Sequence, residues 1–308
     1  MANAGLLLRT ALAPAVWGTT YLVTTEFLVV DHPMWNGLLR ALPAGLLLLA
    51  VRPGLPRGSW WWRAFVLGGL NIGGFFALLF VSAALLPGGV AATLGSTQVL
   101  LVIGLAAVLL GERVRADQIA VAVVGIGGVA LLVLQSTTAL NPLGVAAGLG
   151  SAGFLALGLV LTRRWGLPSG VDGLTATAWQ LLGGSVVLAP LAIGLEGAPP
   201  SLDWQAVAGI AWLATIGGAL AYAFFLTGVR RLPPAASSII TLLSPLVATL
   251  LGWGFLDQTL TAPQVIGAVL VLGSVVLGQR LAVRSAQPSF AHRPPETGTA
   301  RFTSSGLL

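Results

Sequence analysis

Long apolar runs separated by short polar breaks set the rhythm of the chain. Ten runs stand out, over residues 11–30, 35–51, 64–84, 90–110, 117–135, 143–162, 174–194, 205–228, 236–256 and 264–281. Each is close to the roughly 20 residues that carry an α-helix across a hydrocarbon core about 30 Å thick. The breaks carry turn chemistry: "DHP", "RPGLPRG", "LLPGG", "GERVRADQ", "TTALNP", "RRWGLPSG", "EGAPPSLD", "RRLPP" and "LDQTLTAP". The strict alternation of a membrane-spanning β-strand is missing. The pattern predicts an all-α polytopic membrane protein with ten transmembrane helices. Past Arg284 the chain reads "SAQPSFAHRPPETGTARFTSSGLL", and residues 283–308 are expected to form a disordered tail.

Composition narrows the chemistry. Charged residues make up 8% of the 308 residues and apolar ones 56%, against about 25% charged in a soluble protein. Cysteine is absent and histidine occurs twice, as His32 in a loop and His292 in the tail. A disulfide framework, a thiol nucleophile or a zinc site is therefore not expected. There is no lysine, and so no phosphate-binding Walker lysine. "GIGG" at 125–128 lacks the strand and acidic residue of a dinucleotide site. No cofactor is expected, and the candidate coupling ion is the proton. The net charge of +6 reads as membrane topology rather than nucleic-acid binding.

The arginines partition by loop. With the N-terminus inside, one side receives Arg9, Arg52, Arg57, Arg63, Arg113, Arg115, Arg163, Arg164, Arg230, Arg231, Arg280, Arg284, Arg293 and Arg301. The other side receives Asp31, Glu196, Asp203 and Asp257 and no arginine. Loops rich in Lys and Arg face the cytoplasm, which places both termini there and the chain in the cytoplasmic (plasma, or inner) membrane.

Shifting the chain by 146 residues lays the stretch from Leu86 onto that from Leu232, so that Leu86–Pro87 meets Leu232–Pro233, Gln118 meets Gln264 and Gly127 meets Gly273. The charges exchange between copies. Arg113 and Arg115 meet Thr259 and Thr261, and Arg230 and Arg231 meet Ala84 and Leu85. With five helices per copy, matched loops lie on opposite membrane faces, and each arginine pair occurs only in the inward copy. That is an inverted-topology repeat, with copies over 9–137 and 138–282, and it points to a secondary transporter with its site near the midplane between the halves.

"VWGTTY" at 16–21, Arg40 early in the second helix, "LLGERVRADQIAVAVVGIGG" at 109–128 and "SPLVATLLGWGFLDQTLTAPQVIGAVLVLGS" at 244–274 resemble the EamA family of the drug/metabolite transporter superfamily. The resemblance runs nearly to Arg280. It implies ten helices in two five-helix repeats and the movement, often outward, of metabolites, amino acids or toxic compounds. Where the family often has a lysine near the end of the first helix, this chain has "TTEF".

Glu26 and Arg40 are the candidate site's charged members. A charge at a helix centre costs roughly 2.5–3.5 kcal/mol on insertion scales, so an embedded one is a functional hypothesis. At about 1.5 Å per residue, Glu26 lies roughly 7 Å below Asp31 and Arg40 roughly 10 Å below Pro33. The two helices share a short hairpin, so the residues can pair. Arg40 is equally readable as structural. Glu26 is read as a proton or substrate-amine site, against the alternative of snorkelling to the interface.

Trp17 and Tyr21 share one face of the first helix, and Glu26 points nearly opposite Trp17. Asn71 is expected to make an interhelical hydrogen bond. Gln98 and Ser244 are repeat equivalents beside points where the fourth and ninth helices open, Pro245 freeing a carbonyl in the second. Trp179 and Gln180 align with the Leu39–Arg40 neighbourhood, making Gln180 the neutral counterpart of Arg40. Tyr222, with Phe224 and Phe225, adds aromatic surface on the eighth helix. The "WWW" at 60–62 reads as an interfacial anchor.

The sequence therefore predicts a secondary active transporter, exporting small amino-acid-like metabolites or amphipathic toxic compounds by alternating access. An uncoupled facilitator is the alternative. A membrane enzyme built on Ser151 lacks a His or Lys base within the helices. A structural membrane protein would leave the inverted repeat without a purpose. The expected partners are a small-molecule substrate and the lipid bilayer, with a homodimer as the assembly considered and no nucleic acid.

Overall fold

The computed structural model describes residues 4–28, 32–86, 94–133, 141–255 and 261–285. It is a ten-helix membrane protein with no strand among those residues. The helices are α1 (Ala4–Phe27), α2 (Pro33–Val51), α3 (60–85), α4 (Leu94–Leu110), α5 (Ala116–Val133), α6 (Pro142–Trp165), α7 (Gly173–Glu196), α8 (Trp204–Arg231), α9 (234–255) and α10 (Ala262–Ser285). Most begin and end within a few residues of the apolar runs. Helix α1 starts at Ala4 rather than 11, and α3 at Trp60 rather than 64. A helix does not stop where the hydrocarbon stops; it continues into the interface, where Arg9 and the exposed Trp61 and Trp62 sit. The tail from 286 onward lies outside the described residues.

Large apolar side chains cover the outside of the bundle. Val108, Leu143, Val186, Ile193 and Val269 are each more than 60% exposed, as expected where the solvent is lipid and apolar surface needs no burial. Small residues let the helices close on one another instead. The α5–α10 pair meets where a side chain at Gly128 would strike the Gly267 carbonyl at 2.9 Å.

The repeat is visible in the backbone. Two helices contain a π-turn, Gly69–Gly74 in α3 and Thr215–Leu220 in α8. The two turns are 146 residues apart at both ends, 69 to 215 and 74 to 220. Two helices are also interrupted, α4 at Thr97 and α9 at 241–242, again at corresponding places. Contacts obey the same exchange. Helix α1 packs on α9 and α8, and α6 packs on α4 and α3. A Cβ at Gly184 would meet Ile72 at 2.4 Å, while one at Gly218 would meet Ala44 at 2.9 Å. These are the same contact seen from the two halves: α7 on α3, and α2 on α8.

The two ends differ chemically. At one end Arg52 lies 3.8 Å from Asp172, and an Arg163 Nη1 donates to the Arg230 carbonyl. At the other end Glu196, the last residue of α7, caps α2. Its Oε1 accepts from Met34 N at 2.6 Å and its Oε2 from Trp35 N at 3.0 Å. The first turn of a helix has N–H groups without intrahelical acceptors and a positive dipole end, so a carboxylate from another helix serves both needs.

Two outcomes follow for stability. Glu196→Ala lowers unfolding stability in detergent by about 1–2 kcal/mol, and Glu196→Gln by less, since the amide keeps an acceptor but not the charge; an unchanged melting temperature for Glu196→Ala excludes the latch. At the opposite end Asp172 caps α7, and the Thr175 N–H (2.8 Å) holds its carboxyl below the usual carboxylate range. A depressed pKa adds stability above the ordinary Asp range and loses it as pH falls through the lowered value. The melting difference between wild type and Asp172→Ala therefore shrinks in acid; a difference that grows on acidification contradicts this assignment.

Candidate functional site

A carbonyl organises the centre of the bundle. The π-turn of α8 widens the helix, and such turns recur at functional sites because they disturb the i→i−4 ladder. The Gly217 oxygen in this turn accepts Trp17 Nε1 from α1 at 2.9 Å and Arg40 Nη2 from α2 at 3.3 Å. Gly217 and Gly218 have no side chain, which lets α2 come close enough for Arg40 to reach. Arg40 is 8% exposed, and its guanidinium carbon lies 5.2 Å from the centroid of Phe76 on α3. Its Nε is buried with no hydrogen-bond partner among the described residues.

Aromatic rings enclose this cation. Trp17 lies 4.9 Å from Tyr222 and 4.9 Å from Phe225, both on α8, and Phe76 lies 6.5 Å from Tyr222. Four helices from both halves thus meet at one apolar wall holding one guanidinium. Of the sequence-predicted residues, Trp17, Arg40 and Tyr222 come together here. Phe225, named with Tyr222 from the sequence as aromatic surface, joins them, and Phe76 and Gly217 complete the group without having been singled out by sequence. Helix α1 also carries Tyr21 and Glu26, whose side chains lie outside the described residues, as does any pairing of Glu26 with Arg40.

The mirror position is neutral. In the π-turn of α3, Asn71 Nδ2 donates to Gln180 Oε1 of α7 at 2.8 Å and to Thr162 Oγ1 of α6 at 3.1 Å. Position 71 corresponds to 217, and 180 on α7 corresponds to 40 on α2. Each second helix of a half therefore reaches the π-turn of the other half, through a guanidinium on one side and an amide on the other. Asn71 and Gln180 are 1% and 2% exposed, a depth at which an unpaired amide is expensive.

A third polar point joins the interrupted helices. Gln98 Nε2 of α4 donates to Thr241 Oγ1 of α9 at 2.8 Å, and Thr241 in turn donates to the Ser238 carbonyl at 2.6 Å. Gln98 Oε1 is buried without a partner among the described residues. Ser244 begins the next turn, its N–H bonded to the Thr241 carbonyl at 3.0 Å. A side chain at Gly18 would strike the Ser244 carbonyl at 2.8 Å, so α1 touches this break with Gly18 and the aromatic wall with Trp17.

Trp179 stands apart from all three. Its Nε1 donates to the Gly54 carbonyl at 2.7 Å and its ring lies 6.4 Å from Trp60, at the arginine-bearing end. It packs the 52–59 connection while its neighbour Gln180 faces Asn71, because successive helical side chains diverge by about 100°. Ser151 is buried and bonds back to the Gly148 carbonyl of its own helix at 2.8 Å.

The sequence pattern of the EamA-like transporter family matches residues 4–134 and 142–278. Over 273 residues the chain is 44% identical to protein PecM of Dickeya dadantii, covering 89% of this chain and 92% of that protein. It is 28% identical to the uncharacterized transporter YvbV of Bacillus subtilis, over 87% of this chain and 91% of that one. A WAT1-related chloroplastic protein of Arabidopsis thaliana is 27% identical over 85% of this chain and 66% of its own length. A crystal structure superimposes with a TM-score of 0.77 at 20% identity, covering 93% of this chain and all of that one, which speaks to the fold.

The neutral crossing can be tested by a double-mutant cycle. Asn71→Leu and Gln180→Leu each lower stability by about 1–3 kcal/mol, because each orphans a buried amide, and the double variant loses less than the sum. Additive losses measured by thermal unfolding rule out a direct bond between the two.

Proposed function

The chain belongs to the EamA-like transporter family, and we propose that it is a secondary active exporter of small, amino-acid-like or amphipathic compounds that carry a carboxylate beside an apolar body. The observation that carries this reading is the Arg40 guanidinium, enclosed by Phe76, Trp17 and Tyr222 with its Nε unpaired. A guanidinium keeps its proton across the physiological range and presents donors in a fork suited to a carboxylate. The rings around it suit the apolar remainder of such a solute. Few polar groups set in an apolar wall are the usual make-up of a small-molecule site.

The residues then take separate roles. Arg40 receives the substrate carboxylate, and the Gly217 carbonyl holds Arg40 in place. Trp17 and Tyr222 form the wall. Gln98 and Ser244 sit where α4 and α9 break, and those breaks are the hinges of alternating access. Glu26 is the proton or amine site. The arginine-bearing end and both termini face the cytoplasm, in keeping with the bias of basic loops. Exchange of one net charge across about 100 mV supplies about 2.3 kcal/mol, enough for roughly 50-fold accumulation.

The test compares intracellular and extracellular small molecules in cells producing wild type, Arg40→Gln, Glu26→Gln or no transporter, at matched membrane levels. Wild type shifts a set of carboxylate-bearing compounds outward, and Arg40→Gln reduces that shift at least tenfold. Glu26→Gln keeps binding but flattens the pH dependence of export. Export by Arg40→Gln at the wild-type rate removes Arg40 from the site, and inward movement refutes the assigned direction.

A further inference from the structure

The arginine-bearing end contains a cavity of about 130 Å³ lined by Leu167, Gly173, Leu174, Thr227, Arg230 and Arg231. It lies where the end of α6, the start of α7 and the end of α8 converge, away from the Arg40 wall. At about 30 Å³ per water, the space holds roughly four waters, or one compact anion with part of its hydration.

Its lining has an uncompensated charge. Arg230 Nε and Nη1 are shut off from solvent and have no hydrogen-bond partner among the described residues. The acid adjoining the cavity in sequence, Asp172, is already engaged by the Thr175 N–H and faces Arg52. Arg163 does not neutralise Arg230 but adds to its charge, donating to the Arg230 carbonyl. Arg164 and Arg231 stand beside them in sequence. A buried guanidinium without acceptors is unfavourable.

The cavity also depends on the absence of one side chain. A Cβ at Gly173 would stand 3.0 Å from Thr227 Oγ1 and 3.6 Å from Arg230 Nη1, inside the space an anion would use. Thr227 spends its hydroxyl proton on the Ala223 carbonyl at 2.7 Å, so the donors facing the cavity are those of Arg230 and Arg231.

We propose that this cavity is a binding site for a phosphate-type oxyanion, held by Arg230 and Arg231 at the mouth of α7. The donor set favours phosphate over a lone carboxylate, because two adjacent arginines line one small space. Two sources share this chemistry: the headgroup of an anionic phospholipid, for which basic pockets between helices are a known receptor type, and free phosphate. The site is independent of the substrate assigned to Arg40.

The experiment uses the full chain purified in detergent. Its melting temperature is followed against inorganic phosphate at constant ionic strength, and separately against phosphatidylglycerol, with phosphatidylcholine as the neutral control. Wild type shows a saturable rise of several degrees with phosphate, with phosphatidylglycerol or with both. A rise with phosphatidylglycerol alone identifies a lipid site, and a rise with phosphate alone a solute site. Arg230→Gln and Gly173→Val each abolish the rise, whereas Arg57→Gln, an exposed arginine in the connection between α2 and α3, keeps it. Without ligand, Arg230→Gln melts no lower than wild type, because the charge it removes is unpaired. If Arg230→Gln does not fold, Gly173→Val decides alone, since it fills the cavity and leaves every charge in place. No saturable rise with either probe, or a rise that survives Gly173→Val, overturns the proposal.

Discussion

The crossing of the second helix of one half over the third helix of the other, made twice, is the contact on which this molecule depends. In lipid, backbone polar groups must find partners within the protein. A π-turn disturbs its own ladder, and here the partner helix repairs the disturbance. Arg40 and Trp17 supply donors to Gly217, and Gln180 and Thr162 accept from the Asn71 amide nitrogen in the other turn. The repair needs close approach, which the Ala44–Gly218 and Gly184–Ile72 contacts provide. Each half thereby completes the other. Each π-turn packs against the second helix of the other half, and this makes the inverted pair one structure.

The symmetry stops at chemistry. At one crossing the reaching side chain is a guanidinium held by a backbone oxygen and an aromatic face; at the other it is an amide meeting an amide. The neutral crossing engages the Asn71 Nδ2 donors but leaves the buried Asn71 Oδ1 without a partner among the described residues. The charged crossing leaves Arg40 Nε unmet. The two crossings therefore differ in charge rather than in saturation: one holds a buried acceptor without a partner among the described residues, the other a buried cationic donor.

Much of this was legible from residue types, and the reason is the bilayer. Scarce charges and long apolar runs give ten helices directly, since only a helix satisfies its own backbone in lipid. The 146-residue offset is read from matched Pro, Gln and Gly positions, and it reappears in the two π-turns. Asn71 was expected to bond between helices, and it does. What escaped the sequence was carried by the backbone or by facing. No side chain marks the Gly217 carbonyl as an acceptor, because its role comes from the π-turn around it. Trp179 and Gln180 align with Leu39 and Arg40 as neighbours, yet a rotation of about 100° sends them to different partners. The Glu196 latch joins residues 162 positions apart, and an outer-loop glutamate looks like any other until the helix it caps is in place.

The choice of arginine at position 40 follows from the same geometry. The side chain must reach a carbonyl with one nitrogen, lie beside the Phe76 ring and still present a free donor to the centre. A planar guanidinium does all three at once, since its face and its edge are separate surfaces. A lysine ammonium is a compact point charge that keeps its hydration more tightly, and contact with the ring would compete with contact to the carbonyl. The chain contains no lysine anywhere, so composition alone would explain an arginine here. The contacts explain more: they divide the guanidinium between the Gly217 carbonyl and the Phe76 face, and so tie its charge to the packing of α2 on α8.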